Sequence, residues 1–84
     1  MYEYLAPVEI RMRNAALDDK RNQAARFSRL AMHEGALATD ILESGNELYC
    51  NTLWETEGAW QTFARKHGLR KKPGKRLWVL KARR

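Results

Sequence analysis

Leu48-Tyr49-Cys50-Asn51-Thr52-Leu53-Trp54 is the stretch on which the fold turns. Wound as a helix, it gathers Leu48, Tyr49, Thr52 and Leu53 on one face. Extended, it alternates and is rich in β-formers, so periodicity alone leaves helix and strand open. The flank favours helix. Ser44-Gly45-Asn46 breaks the chain, Ser44 and Glu47 have capping-box spacing, and Asn46 is an alternative N-cap. A helix over 46–54 is therefore expected, with a strand as the alternative.

Toward the C-terminus, Glu55-Thr56-Glu57-Gly58 reads as a turn. Trp60, Phe63, Ala64 and His67 then recur at i, i+3, i+4 and i+7, one face of a helix over 59–67, which Gly68 stops. Gln61, Thr62, Arg65 and Lys66 occupy the other face. Lys72-Pro73-Gly74-Lys75 puts Pro and Gly at the centre of a type II turn. Leu77-Trp78-Val79-Leu80 is strand-prone, so the end of the chain reads as a β-hairpin with a basic tip.

Toward the N-terminus, Met1–Pro7 is aromatic and short, suited to an edge strand or to lying across the core. Pro7 fits a first helical turn, where its missing N–H costs nothing. From Val8 to about His33 the composition favours helix. Met12, Ala15, Ala16, Ala24, Phe27, Leu30 and Ala31 recur at helical spacing. Asp18 to Gln23 is either an exposed mid-helix segment or the start of a second helix capped by Asp18 or Asp19. Gly35 ends this part. Ala36–Glu43 reads as a short helix with Leu37, Ile41 and Leu42 turned inward.

The expected fold is a single α+β domain, mostly helical, spanning 1–84. N-terminal helices over 1–44 precede a helix-turn-helix-like pair and a basic hairpin over 45–84. That order matches the general plan of a winged helix.

Charge points to function. The chain carries 16 Lys plus Arg against 10 Asp plus Glu, a net of +6. Residues 1–64 hold a net of −4, whereas residues 65–84 hold ten cations and no acid. An unopposed basic segment attracts polyanions by releasing their condensed counterions. Nucleic acid is the expected partner, DNA ahead of RNA. Gln61, Thr62, Arg65 and Lys66 are the candidate base readers. Arg70, Lys71, Lys72, Lys75, Arg76, Lys81, Arg83 and Arg84 are the candidate phosphate contacts. Trp60 and Trp78 are assigned to the core rather than to base stacking, because so small a domain needs its large aromatics. The alternative is a protein-interaction module, an inhibitor or adaptor docking on an acidic surface of a larger nucleic-acid-processing machine. A homodimer is compatible with either.

Other classes find little support. One cysteine, Cys50, cannot form an intramolecular disulfide, and a reduced, cytoplasmic setting is expected. No apolar run approaches the roughly 18–20 residues that span a bilayer. One Cys and two His lie too far apart in sequence for a zinc site, and neither a phosphate loop nor a nucleophile elbow is present. The expectation is a binding protein without metal, cofactor or catalytic activity.

Overall fold

The computed structural model describes residues 3–82. Its elements are β1 (Tyr4–Met12), α1 (Leu17–His33), β2 (Ala38–Ser44), β3 (Glu47–Trp54), α2 (Glu57–Lys66), β4 (Arg70–Lys71) and β5 (Trp78–Ala82). The five strands form one mixed sheet in the order β2-β3-β1-β5-β4. β1 runs antiparallel to β3 and parallel to β5. β1, α1 and β2 make a crossover whose two strands are separated in the sheet by β3, a split β-α-β arrangement. Both helices cover the same face.

The architecture is α+β, but it is not mostly helical, and the expected series of N-terminal helices is overturned. Residues 4–12 form the central strand rather than the start of a helix. Ala6, Val8, Ile10 and Met12 point into the core while Leu5, Pro7, Glu9 and Arg11 point away. The helix-favouring side chains of this stretch yield to pairing on both sides, since propensity is a weak prior against tertiary context. Pro7 lies where β1 has no β5 partner yet, because that ladder starts at Val8↔Trp78. Such an edge-like setting tolerates a missing donor.

The helices expected over 36–43 and 46–54 are also corrected. They are the strands β2 and β3, joined as a hairpin by Gly45 and Asn46. Gly45 has φ 61° at the first central position of this two-residue turn, where glycine is favoured. Ser44 and Glu47 pair across the hairpin instead of capping a helix. Leu37, Ile41 and Leu42, expected inward, are 40–48% exposed on or beside the edge strand. The helix-turn-helix is therefore absent. The segment before α2 is a strand, and the hairpin strand β5 is built into the sheet beside β1 rather than projecting as a wing.

The local readings fare variously. Neither Asp18 nor Asp19 caps a helix and the segment is not mid-helix: α1 starts at Leu17 behind Ala16, with no side-chain cap, and the two acids sit in its exposed first turn, where negative charge complements the helix dipole. α1 ends one residue before Glu34-Gly35. The turn expected over 55–58 gives way in part to helix: α2 starts at Glu57, two residues before the expected 59, behind Thr56, whose Oγ1 accepts from the Ala59 N–H at 3.1 Å. Gly74 takes φ 72° in the turn closed by Lys75 N–H to the Lys72 carbonyl, 3.2 Å, as a type II turn requires.

Trp54, Trp60, Phe63 and Trp78 make the centre of the core together with Phe27. Ring centroids lie 4.9 Å apart for Trp54–Phe63 and 5.1 Å for Trp60–Trp78, the second pair edge-on, a favoured arrangement. Thr52 is fully buried. Its hydroxyl donates to the Ala6 carbonyl at 2.9 Å and accepts from Trp54 Nε1 at 2.8 Å, which ties β3 to β1 and fixes the indole. Cys50 is buried beside it, and burial pushes its thiol up to about 11, so it stays protonated at neutral pH.

Polar contacts lock the helices to the sheet and to each other. Ser28 and Thr39 share a hydrogen bond of 2.6 Å between α1 and β2. Arg21 of α1 pairs with Glu43 of β2. Glu34, at the end of α1, accepts from Lys66 Nζ at 2.8 Å and lies 2.9 Å from His67 Nε2. Lys66 is the main cause that holds the Glu34 carboxyl below its ordinary range, with His67 adding to it against some desolvation. A group lowered in this way adds stability above the ordinary carboxylate range and loses it as pH falls through the lowered value. Glu34→Gln is accordingly expected to flatten the acid side of the stability profile. Urea midpoints from pH 7 down to pH 3 check this, and an unchanged acid limb would remove Glu34 from the account.

Candidate nucleic-acid interface

The basic run does not fold into one patch. A strand sends successive side chains to opposite faces, so β4 splits its cations. Lys71 is paired with Trp78 and turns toward the helix side. Arg70 and Lys72 turn to the open side, where Lys72 Nζ lies 3.7 Å from Glu9. Lys81, level with Arg11, shares that open side.

On the helix side, Lys71 Nζ stands 5.9 Å from the centre of the Trp78 ring. The Arg76 guanidinium lies 5.0 Å over the Tyr4 ring, and Tyr4 meets Trp78 edge-on at 6.3 Å. Both contacts fall within the range of cation–π attraction. Lys75 is exposed at the turn beside them. Arg76 thus covers a half-buried Tyr4, Lys71 stands over Trp78, and Lys75 is exposed in the turn that joins β4 to β5; these three make the hairpin rim, and among the described residues none of them has a carboxylate partner within 4.0 Å. Tyr4 was not among the expected site residues. The aromatic character of the first strand was its one visible signal, and only the placing of β1 near the hairpin gives it a role.

The four candidate readers on α2 fare unequally. Trp60, Phe63 and Ala64 are buried, which turns Gln61, Thr62, Arg65 and Lys66 outward as expected. Gln61 is half-buried. The Thr62 hydroxyl donates to the Gly58 carbonyl at 3.0 Å. Lys66 is engaged with Glu34. Arg65 is exposed and has no ion pair among the described residues. Among the described residues α2 is therefore left with one unengaged cation, Arg65, and the segment before it is a strand rather than a companion helix. Arg83 and Arg84 lie outside the described residues.

A separate cleft of about 490 Å³ opens at the other end of β1, lined by Glu9, Arg11, Lys20, Glu47 and Lys81 among others. With Arg13, four cations line it against two carboxylates, but Arg11 is paired with Glu9 at 2.7 Å and Lys20 donates to the Asn46 carbonyl at 2.9 Å, so its charge is partly engaged within the chain. Among the described residues no cluster of three or more His, Cys, Asp or Glu could hold a metal ion, and no helix is long and apolar enough to cross a membrane.

A scan against protein-family models and searches of curated proteins and of solved structures find no match to this chain.

Proposed function

We propose that this protein binds the phosphate backbone of nucleic acid as an accessory factor, through the hairpin rim of Lys71, Lys75 and Arg76, with the exposed Arg65 of α2 as a further cation. The observation that carries the reading is the unopposed charge: no acid follows Glu57 in the sequence, and the rim cations keep their charge turned to solvent around an aromatic ring. Phosphate contacts position a protein without reading sequence. A partly exposed Tyr4 adds a surface on which an unpaired base can stack. Binding is therefore expected to depend strongly on salt and weakly on sequence. The groove-inserted recognition helix has no place in this reading, since the fold does not supply it.

The test is a fluorescence anisotropy titration of labelled duplex DNA, single-stranded DNA and RNA in parallel at fixed low salt. Dissociation constants on the order of micromolar, the usual range for sequence-independent contacts, are expected. Absence of binding to all three overturns the proposal and moves attention to acidic protein partners.

A further inference from the structure

The sheet has a second face that no helix covers. Its residues follow from the pairing registers and form four rows across the strands. One row holds Ala38, Leu53 and Leu5. The next holds Asp40, Asn51 and Pro7, with Lys72 at the far edge. The third holds Leu42, Tyr49, Glu9, Val79 and Arg70, and the last holds Ser44, Glu47, Arg11 and Lys81. Leu5 is 49% exposed and Leu42 46% exposed. Leu5, Ala38, Asp40, Asn51 and Leu53 line a shallow depression of about 230 Å³ between β1 and β2.

The charges on this face are sorted by strand. Asp40 and Glu47 belong to the β2–β3 side. Lys72, Arg70 and Lys81 belong to the β5–β4 side. Glu9 and Arg11 lie on the central strand and pair with each other at 2.7 Å. Such a face is complementary to itself under one rotation only. A twofold axis parallel to the strands and centred on β1 lays β5 of one copy over β3 of the other, and β4 over β2, while each row stays level. Lys81 then meets the partner's Glu47, and Lys72 meets the partner's Asp40. Leu5 packs near its own symmetry mate, and so do Glu9 and Arg11, whose charges are offset within each copy by the Glu9–Arg11 ion pair. A twofold axis across the strands would instead stack acid edge on acid edge. An isologous contact repeats every pair twice, and sheets that pack face to face stay within about 30° of parallel, close enough to keep the rows in register near the axis.

We propose that the open sheet face binds a second copy of this chain, as a face-to-face homodimer with its twofold axis along the strands. This inference stands apart from the nucleic-acid reading. It uses the opposite side of the sheet, and it leaves Lys71, Lys75 and Arg76 on the outer rim of each copy.

Sedimentation equilibrium of the full chain, without nucleic acid, tests it. The parent protein is expected at twice its chain mass of 9.8 kDa at tens of micromolar. A monomer at ~100 µM overturns the proposal, since a specific interface of standard size binds more tightly than that. Asp40→Lys and Lys72→Glu are each expected to weaken the dimer about tenfold or more, because like charges then oppose across the interface. The double variant Asp40→Lys/Lys72→Glu restores the pair with its signs exchanged and is expected to recover most of the loss. Leu5→Glu, a change at an exposed position that meets its own symmetry mate, sets two carboxylates against each other and is expected to give a monomer by sedimentation that is still folded by circular dichroism. A dimer that persists unchanged in Asp40→Lys and Leu5→Glu would lie on another surface and would equally overturn the assignment.

Discussion

Trp60→Ala is expected to cost about 3–5 kcal/mol, the range for emptying a large aromatic site in a core. A small domain has about 5–15 kcal/mol of stability in all, so the variant should lose most of its folded population on modest warming. Trp60 is fully buried and touches Trp54, Phe63 and Trp78, and no smaller side chain could fill that space without moving all three. Its Nε1 has no hydrogen-bond partner although it is buried. Trp60→Phe therefore removes ring volume but no bond and should be the mildest change at this position. Trp54→Phe differs in kind, because it also removes the hydrogen bond to Thr52, worth about 1 kcal/mol. Urea denaturation followed by circular dichroism separates the three. A Trp60→Ala variant that melts like the parent would mean that the ring is not part of the core.

The salt dependence of nucleic-acid binding should change nearly as much. If Lys71, Lys75 and Arg76 each meet a phosphate, their triple replacement by Ala should reduce the slope of log K against log salt by about 0.9 per residue on duplex DNA. The loss should be alike on any sequence. Arg70→Ala and Lys81→Ala provide the internal control. They remove two charges, against three, from the same stretch of chain but from the opposite face of the sheet, and should leave the slope nearly unchanged where a loss shared by all cations alike would lower it by two thirds as much. Equal effects from both sets would show that net charge, not the rim, attracts the polyanion. An unchanged slope in the triple variant would remove the rim from the interface.

Where helix and strand compete, the local signals in this chain divide by the distance of the decisive partner. α2 was legible because its determinants are its own, an apolar stripe of Trp60, Phe63 and Ala64 and a glycine after it, although the capping Thr56 that starts it at Glu57 was read as part of a turn. The hairpin turn was legible from Pro73-Gly74 for the same reason. β3 was not. Leu48, Cys50, Thr52 and Trp54 do alternate inward, but Tyr49 and Leu53 on the open face are apolar as well, so the period-two contrast that marks a half-buried strand is blurred. The residues that hid the strand are the ones left on the uncovered face.

The amino-acid sequence by itself determined the charge asymmetry, the aromatic core, the turns and the second helix, since each depends on neighbours within a few residues. Only the tertiary structure decided that residues 4–12 and 38–54 are strands and that the basic run is divided between two faces. β1 takes its partners from residues some forty to seventy positions away, and pairing at that separation outweighs helix propensities of less than ~1 kcal/mol per residue. Once β5 is set beside β1, the alternation of a strand sends Arg70 and Lys72 one way and Lys71 the other, a separation that the uniform charge of the sequence does not carry.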